Sequence, residues 1–583
     1  MPGAEAGSVP VPRAEPEAAD LAAEESIWLV LGRGLARHGD RTAVRHLTER
    51  GWEAVSHREF GELVDRFTAR LRGHGVRHGD WLALMGDSSL DWAVADLAAL
   101  RIGAVVVPIY PTSSADQVEH IVRTTTPTVG VADTPHRRAL LRDAGVGTVI
   151  VDPTAPLDPT APLDPTARVD PTAPPRLTPV GSGVPAGSVL AESVSAGSVP
   201  VDAVAVRDDG GRPVTAEDVA TVVFTSGTTG EPKGCVLTHR NVYCGAANVA
   251  AALPEIFAPA DGTAPRTVIA LPLSHMYGRS TLLATLLAGG EAVVVRQPAE
   301  MFGAMCHRPP TFLALTPYLL EKLDRAVLED EREGGGRAAW AVGSLAHVIC
   351  GGASLAPEHQ ESFRRRGITV LGAYGMTESA AAAAVNRAAD NRIGTVGRPN
   401  PGTSVVVDDS GELIITGGNV SPGYWGEADL DRREPGPYSV RTGDLGVVDD
   451  DGFIRITGRR KDILVTSSGK NVAPAPLEDR LRADPLISQC VVVGDQRPYV
   501  TALIAVDPAE ATRRRLSPAD VADRVQRAVD AANTLVSRAE SIRRWRLVPG
   551  ELSVSTGHLT SSGKLVRAKV LVDLADEIDA LYR

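Results

Sequence analysis

Apolar positions along this chain repeat with two periods, and the switch between the periods marks out its elements. From Ile27 onward, "FGELVDRFTARLRGHGV" reads as an amphipathic helix and "WLALMG" as a strand. "DWAVADLAALRIG" then reads as a helix and "AVVVPIY" as a strand. Alternation of this kind predicts an α/β architecture. It resumes from Thr221 through the strands "TVVFT", "TVIALP", "EAVVV", "AHVICGG" and "ITVLGAYG", with helical segments such as "PEHQESFRRRG" between them. After Gly402 the pattern turns to hairpins: "TSVVVDDSGELIITGG" and "GVVDDDGFIRITG" each hold an Asp/Gly turn between alternating strands. The last stretch carries its own helices, "PAPLEDRLRADP" and "PADVADRVQRAVDAANTLVSR", enough for a small separate domain.

Two stretches break the pattern. The first twenty or so residues are rich in Ala, Pro and Glu and read as a loose tail. Asp152 to Pro175 spells "DPTAPLDPTAPLDPTARVDPTAPP", and "AGSV" repeats follow to about Val201. Proline at that density removes backbone donors and fixes φ, so the stretch reads as a disordered surface insert rather than a β-helix. The expected organisation is a tail over 1–26, a large domain over 27–460 carrying the insert at about 152–201, and a small domain over 461–583.

Composition narrows the function classes. With 583 residues and 43% hydrophobic positions the chain exceeds a single core and has ample material to bury. A net charge of −12 argues against nucleic acid as the partner, since that affinity comes from clustered Lys and Arg. The five cysteines, Cys235, Cys244, Cys306, Cys350 and Cys490, are scattered and form no C-x-x-C pair. Neither a disulfide framework nor a zinc site is indicated, and a reducing cytoplasm fits best. No signal peptide or spanning run is visible, which leaves a soluble protein with at most peripheral membrane contact.

The candidate chemistry begins at "TSGTTGEPKG", Thr225 to Gly234, directly after the strand "TVVFT" and before the helical "LTHRNVYCGAANVAAAL". Small residues let backbone N–H groups converge on an anion, the hydroxyls of Thr225, Ser226, Thr228 and Thr229 add donors, and Lys233 adds charge. It is not a Walker loop, because Pro232 precedes the lysine and Gly234 follows it. A plain Gly/Thr turn is the bland alternative. The stretch closely resembles the signature loop of the adenylate-forming superfamily, and companion motifs follow downstream in order: "CGGASL", "GAYGMTES", "RTGDLG", "RITGRRKDILVTSSGKNVAPAPLED" and "LTSSGKLVRAK".

That resemblance implies a fold and a set of roles. The fold is a large multi-layered domain of mixed sheets flanked by helices, with a small distorted β-barrel, joined to a small mobile α+β domain. Nucleotide contacts are implied for Thr225, Ser226, Gly227, Thr228, Thr229 and Gly230 of the loop. Gly351, Gly352 and Ala353 let backbone approach adenine, and Tyr374 packs against it beside Gly375. Thr377 bonds the α-phosphate, while Glu378, with Thr225, helps to hold Mg²⁺. Asp444 binds the ribose hydroxyls, and Arg459 contacts ribose and phosphate. Lys461 sits at the hinge between domains. Lys564 bridges the incoming carboxylate and the α-phosphate, relieving charge repulsion in the transition state. His275, in "LPLSHMYGR", lies toward the acyl carboxylate, and Lys470 toward the thiol step; either residue equally suits a plain structural role.

Within the superfamily, "GKNVAPAPLED", "SQCVVVGDQRPYVTALI" and "GTVGRPNPGT" look like the long-chain fatty acyl-CoA synthetases. The implied activity is ATP-dependent conversion of a fatty acid to acyl-AMP, followed by transfer to CoA with release of AMP. The insert and the shortened "REPGPYSVRTGDLG", with Tyr438 where tryptophan is common, depart from that pattern. The enzymatic alternative passes the same adenylate to the phosphopantetheine arm of an acyl carrier protein. Phosphoryl transfer from the γ-phosphate would want a Walker lysine, and a non-catalytic scaffold would predict loss of Lys564 or Glu378.

Overall fold

The computed structural model describes residues 19–22, 24–150, 153–154, 212–225, 232–355, 357–427, 436–553, 555–559 and 565–583. Most of the N-terminal tail and of the repeat insert, the loop 226–231 and the segment 560–564 lie outside the described residues, together with the expectations attached to them.

The architecture is mixed α/β, as the alternating periods predict. Its largest sheet has seven strands in the order Gly423–Tyr424, Lys233–Thr238, Val219–Thr225, Val105–Ile109, Trp81–Met85, Val129–Ala132 and Val149–Ile150. The strand Val105–Ile109 is buried at every position, as a parallel strand covered on both faces must be. Helices Ile27–His38, His57–Gly73, Leu90–Ile102, His239–Ala252 and Met276–Leu287 share one core with this sheet, through Leu31, Phe60, Phe67, Leu97, Val242 and Leu282 among others.

One expectation is corrected here. The signature loop does not lead straight into a helix: Lys233–Thr238 is a strand, antiparallel to Val219–Thr225, with Thr225 opposite Lys233. Cys235, Val236 and Leu237 are three consecutive fully buried apolar residues, and their sheet partners override the helical reading of Leu237 and Thr238. The helix starts at His239, where the Thr238 hydroxyl accepts from the Asn241 N–H at 3.2 Å. The segments on either side of the loop therefore pair as a β-hairpin, and a strand rather than a helix follows it.

Helix Leu90–Ile102 is buried nearly all round, so its buried acid, Asp96, needs a partner inside the core. Asp96 takes Arg279 of helix Met276–Leu287 in a two-pronged pair, Nε to Oδ2 at 2.8 Å and Nη2 to Oδ1 at 2.5 Å. Neither side chain reaches water, and pairing is what makes two buried charges tolerable. At the other end of the chain's first described stretch, Leu21 is buried and Arg240 bonds the Leu21 carbonyl at 2.7 Å. The chain is thus anchored several residues before its periodic pattern begins.

Two further sheets complete the large body: Gly51–Ser56, Thr42–Thr48, Glu291–Val294 and Arg266–Ile269, and Phe312–Leu315, His347–Cys350, Thr369–Met376, Ala381–Val385 and Arg398–Pro399. The two predicted hairpins form an antiparallel sheet of Thr403–Val407, Glu412–Gly417, Tyr438–Val448 and Ile454–Arg459, which is the half-barrel of the fold. Beyond it, Leu477, Leu481, Cys490, Val500, Val525 and Val529 build a separate core around the sheet Ile487–Val493, Val500–Val506 and Ile542–Leu547. Arg325 of the large body meets Asp507 of this small one at 2.5 Å.

Candidate active site

Three edges converge on the candidate site: the hairpin of the candidate phosphate loop, the end of strand Thr369–Met376, and the half-barrel. The strand runs into a single 3₁₀ turn, Thr377–Ser379, whose residues are all buried. Ser379 fixes that turn, its hydroxyl accepting from the Met376 N–H at 3.0 Å and donating toward the Ala381 carbonyl at 2.9 Å. Behind it the backbone turns left-handed at two alanines, Ala380 at φ +49° and Ala381 at φ +108°. A φ near +108° is costly for a residue with a Cβ, so the surrounding contacts impose the turn. Gly375 shows the same crowding: a Cβ there would lie 1.8 Å from the Ala381 carbonyl oxygen. Glycine at 375 is thus required by the backbone before any ligand is considered.

Tyr374, Asp444 and Arg459 are brought together. The Tyr374 hydroxyl donates to Asp444 Oδ2 at 2.7 Å, and Arg459 Nε donates to Asp444 Oδ1 at 2.6 Å. Sheet register sets the second contact, because Asp444 and Arg459 face each other across the hairpin. Burial and the Asp444 charge push the Tyr374 phenol well above its ordinary value, so it stays a donor. Each carboxylate oxygen retains acceptor capacity beyond the bond it makes here, which leaves room for hydroxyls. Loss of solvent, with Arg459 beside it, holds the Lys461 amine below its usual value.

Gly351 ends strand His347–Cys350, its N–H bonded to the Leu315 carbonyl at 3.1 Å. Gly352 (φ +87°) and Ala353 follow exposed, an open backbone edge of the kind a flat base can lie against. His275 caps helix Met276–Leu287, its Nδ1 accepting from the Tyr277 N–H at 3.1 Å, with the Tyr110 ring 6.4 Å away. That bond assigns the ring proton of the neutral form to Nε2. Lys470 pairs at 3.6 Å with Glu540 of the small body. Ser226, Gly227, Thr228, Thr229, Gly230 and Lys564 lie outside the described residues.

One participant has no counterpart among the sequence-derived candidates. The two-residue strand Gly423–Tyr424 adds to the free edge of Lys233–Thr238, with Tyr424 opposite Cys235. From there the Tyr424 hydroxyl donates to Glu378 Oε1 at 2.5 Å, and Lys233 Nζ sits 5.8 Å from the centroid of its ring. Its only signal in the sequence is a lone "GYW" after a hairpin, too short to stand out.

Glu378 offers one carboxylate, and no group of three or more His, Cys, Asp or Glu side chains suited to a metal occurs among the described residues. A hard oxygen donor with few protein ligands suits Mg²⁺, which keeps waters and phosphate oxygens in its shell, and does not suit zinc.

Residues 32–425 match the family model for AMP-binding enzyme, and residues 461–583 match that for the AMP-binding enzyme C-terminal domain. The long-chain-fatty-acid–CoA ligase FadD15 of Mycobacterium tuberculosis is 31% identical, over 93% of this chain and 94% of that protein. Among solved structures, the anthranilate CoA ligase AuaEII in complex with anthranoyl-AMP superposes with a TM-score of 0.73 at 19% identity, covering 96% of this chain and 99% of that one. ATP-bound MatB from Rhodopseudomonas palustris gives 0.68 at 23% identity, covering 95% and 100%.

Proposed function

We propose, from the premise that this chain belongs to the AMP-binding enzyme family, that it is a fatty acid–CoA ligase acting in the cytoplasm on long-chain acids. The observation that carries the site assignment is the convergence of Tyr374, Asp444 and Arg459 at one end of the Thr377–Glu378 turn, with Lys233 of the phosphate hairpin near its other end. The likeness to FadD15 along nearly the whole chain supports the acyl class.

In the first step a carboxylate oxygen of the acid attacks the α-phosphorus of ATP. The bond from that phosphorus to its bridging oxygen breaks, and pyrophosphate leaves with the electron pair. Tyr374 packs on adenine, against the backbone of Gly351, Gly352 and Ala353, and Asp444 accepts from the ribose hydroxyls while Arg459 reaches ribose and phosphate. Thr377 donates to the α-phosphate, Lys233 faces the β- and γ-phosphates, and Ser226 to Gly230 are assigned to the same phosphates. Lys564 neutralises charge between the two approaching anions. Glu378 and Thr225 would hold Mg²⁺, which when bound supplies charge neutralisation on the phosphates.

In the second step the small domain, taken to begin at Lys461, turns and withdraws Lys564, and the CoA thiolate attacks the acyl carbon to expel AMP. His275 sits toward the acyl end and Lys470 toward the thiol path. Supplying palmitate labelled with ¹⁸O in its carboxylate tests this route. Label in AMP together with palmitoyl-CoA as product is expected; label retained in phosphate or pyrophosphate overturns the adenylate. An adenylate that forms but reacts only with a carrier protein's phosphopantetheine overturns the CoA assignment.

A further inference from the structure

We propose that Tyr424 is a positioning residue for the metal and phosphate groups, its hydroxyl aiming the Glu378 carboxylate and its ring seating the Lys233 ammonium. The inference rests on the reading of Glu378 as a metal ligand and of Lys233 as a phosphate contact.

Tyr424 reaches both groups. Its hydroxyl lies 2.5 Å from Glu378 Oε1, which leaves Oε2 with no hydrogen bond from the described residues. Lys233 Nζ lies 5.8 Å from the ring centroid, within cation–π range. Facing a carboxylate oxygen, the phenol O–H is the donor of this bond. A donor fixed on one oxygen orients the carboxylate, as outer partners of metal ligands do elsewhere.

The segment around Tyr424 is built to hold it there. The Ser421 N–H bonds the Glu378 carbonyl at 2.8 Å, and the Ser421 hydroxyl bonds the Val236 carbonyl at 2.6 Å on the phosphate hairpin. Asn419 Nδ2 bonds the Ser379 carbonyl at 3.0 Å, and Asn241 Nδ2 bonds the Gly418 and Val420 carbonyls, each at 2.8 Å. On the far side the Trp425 N–H bonds the Gly234 carbonyl at 2.7 Å, and its ring stands edge-on to Trp81 at 4.6 Å. Residues 418–425 thus form a bracket between the phosphate hairpin and the 3₁₀ turn. Tyr424 extends that bracket from backbone to functional groups.

Calorimetric titration of the full chain with ATP, in excess Mg²⁺ and in EDTA, tests the proposal in the wild type, Tyr424→Phe, Glu378→Gln and the double variant. Tyr424→Phe keeps the ring and removes only the hydroxyl. It is expected to cut the Mg²⁺-dependent gain in ATP affinity by about ten- to a hundredfold while leaving metal-free affinity within about twofold. In the Glu378→Gln background the same change is expected to add less than about twofold, because it acts through Glu378. Tyr424→Leu removes the ring as well and is expected to weaken metal-free ATP binding about two- to fivefold.

A Tyr424→Phe protein with an intact Mg²⁺ gain, beside a Glu378→Gln protein that has lost it, overturns the positioning role alone. An intact gain in Glu378→Gln overturns the metal-ligand reading itself. Near-ultraviolet circular dichroism of the Trp81–Trp425 pair checks the bracket. If Tyr424→Phe abolishes that signature, its role is packing and the proposal fails.

Discussion

The Tyr374 hydroxyl and Asp444 Oδ2 are 2.7 Å apart across two different sheets, and this contact joins the strand that leads into the Thr377–Ser379 turn to the half-barrel. Asp444 is buried and also holds Arg459, so a single carboxylate ties together two other residues of the candidate site. Asp444→Asn keeps the shape and removes the charge. The apparent KM for ATP is expected to rise at least about tenfold, roughly 1.4 kcal/mol, with a smaller change in the KM for the acid. Steady-state kinetics with each substrate varied in turn checks it.

Gly375→Ala puts a methyl group where the Ala381 carbonyl stands. Backbone cannot yield as a flexible side chain does, so the turn holding Thr377 and Glu378 must shift. A loss of kcat/KM of about a hundredfold or more is expected, in line with the sensitivity of transition-state contacts to misplacement by about 1 Å. The global unfolding midpoint should fall far less, and measuring both on one preparation separates displacement from unfolding.

Acid sensitivity should come partly from the buried histidines. Burial lowers His239 from 6.5 to about 4, and burial with His38 nearby does the same to His57. Both are therefore neutral in the fold at a pH where the unfolded chain has protonated them. Their stabilisation is complete above pH 6.5 and is lost as pH falls toward 4, by about 1.4 kcal/mol per pKa unit for each group. Urea unfolding midpoints taken from pH 7.5 to 4.5 should fall steadily below 6.5. His239→Gln should flatten that slope, even if it lowers stability at neutral pH.

The sequence and the structure part ways in places with physical reasons. The order of the nucleotide motifs was legible, because each is a contiguous stretch of glycines and donors. The opposition of Asp444 and Arg459 was not legible, because a bulge between Leu445 and Gly446 shifts the register that the Asp/Gly turn of "GVVDDDGFIRITG" would set. Strand Lys233–Thr238 was hidden because "KGCVLT" is too short to declare a period, and it runs directly into a helix. Tyr424 was invisible for another reason. Its strand is two residues long, and its partners lie 46 residues away at Glu378 and still further away at Lys233, a closeness that only the folded sheet creates. The buried pair Asp96–Arg279 likewise reads as two ordinary charges until the helices pack.

Release of AMP and pyrophosphate with palmitate, with and without CoA, in the wild type and in Lys564→Ala tests the central claim most directly. Sustained AMP release that needs CoA in the wild type, and falls by about a hundredfold or more in the variant, is the expected result. Equal AMP release by both proteins, or formation of ADP in place of AMP, would contradict it.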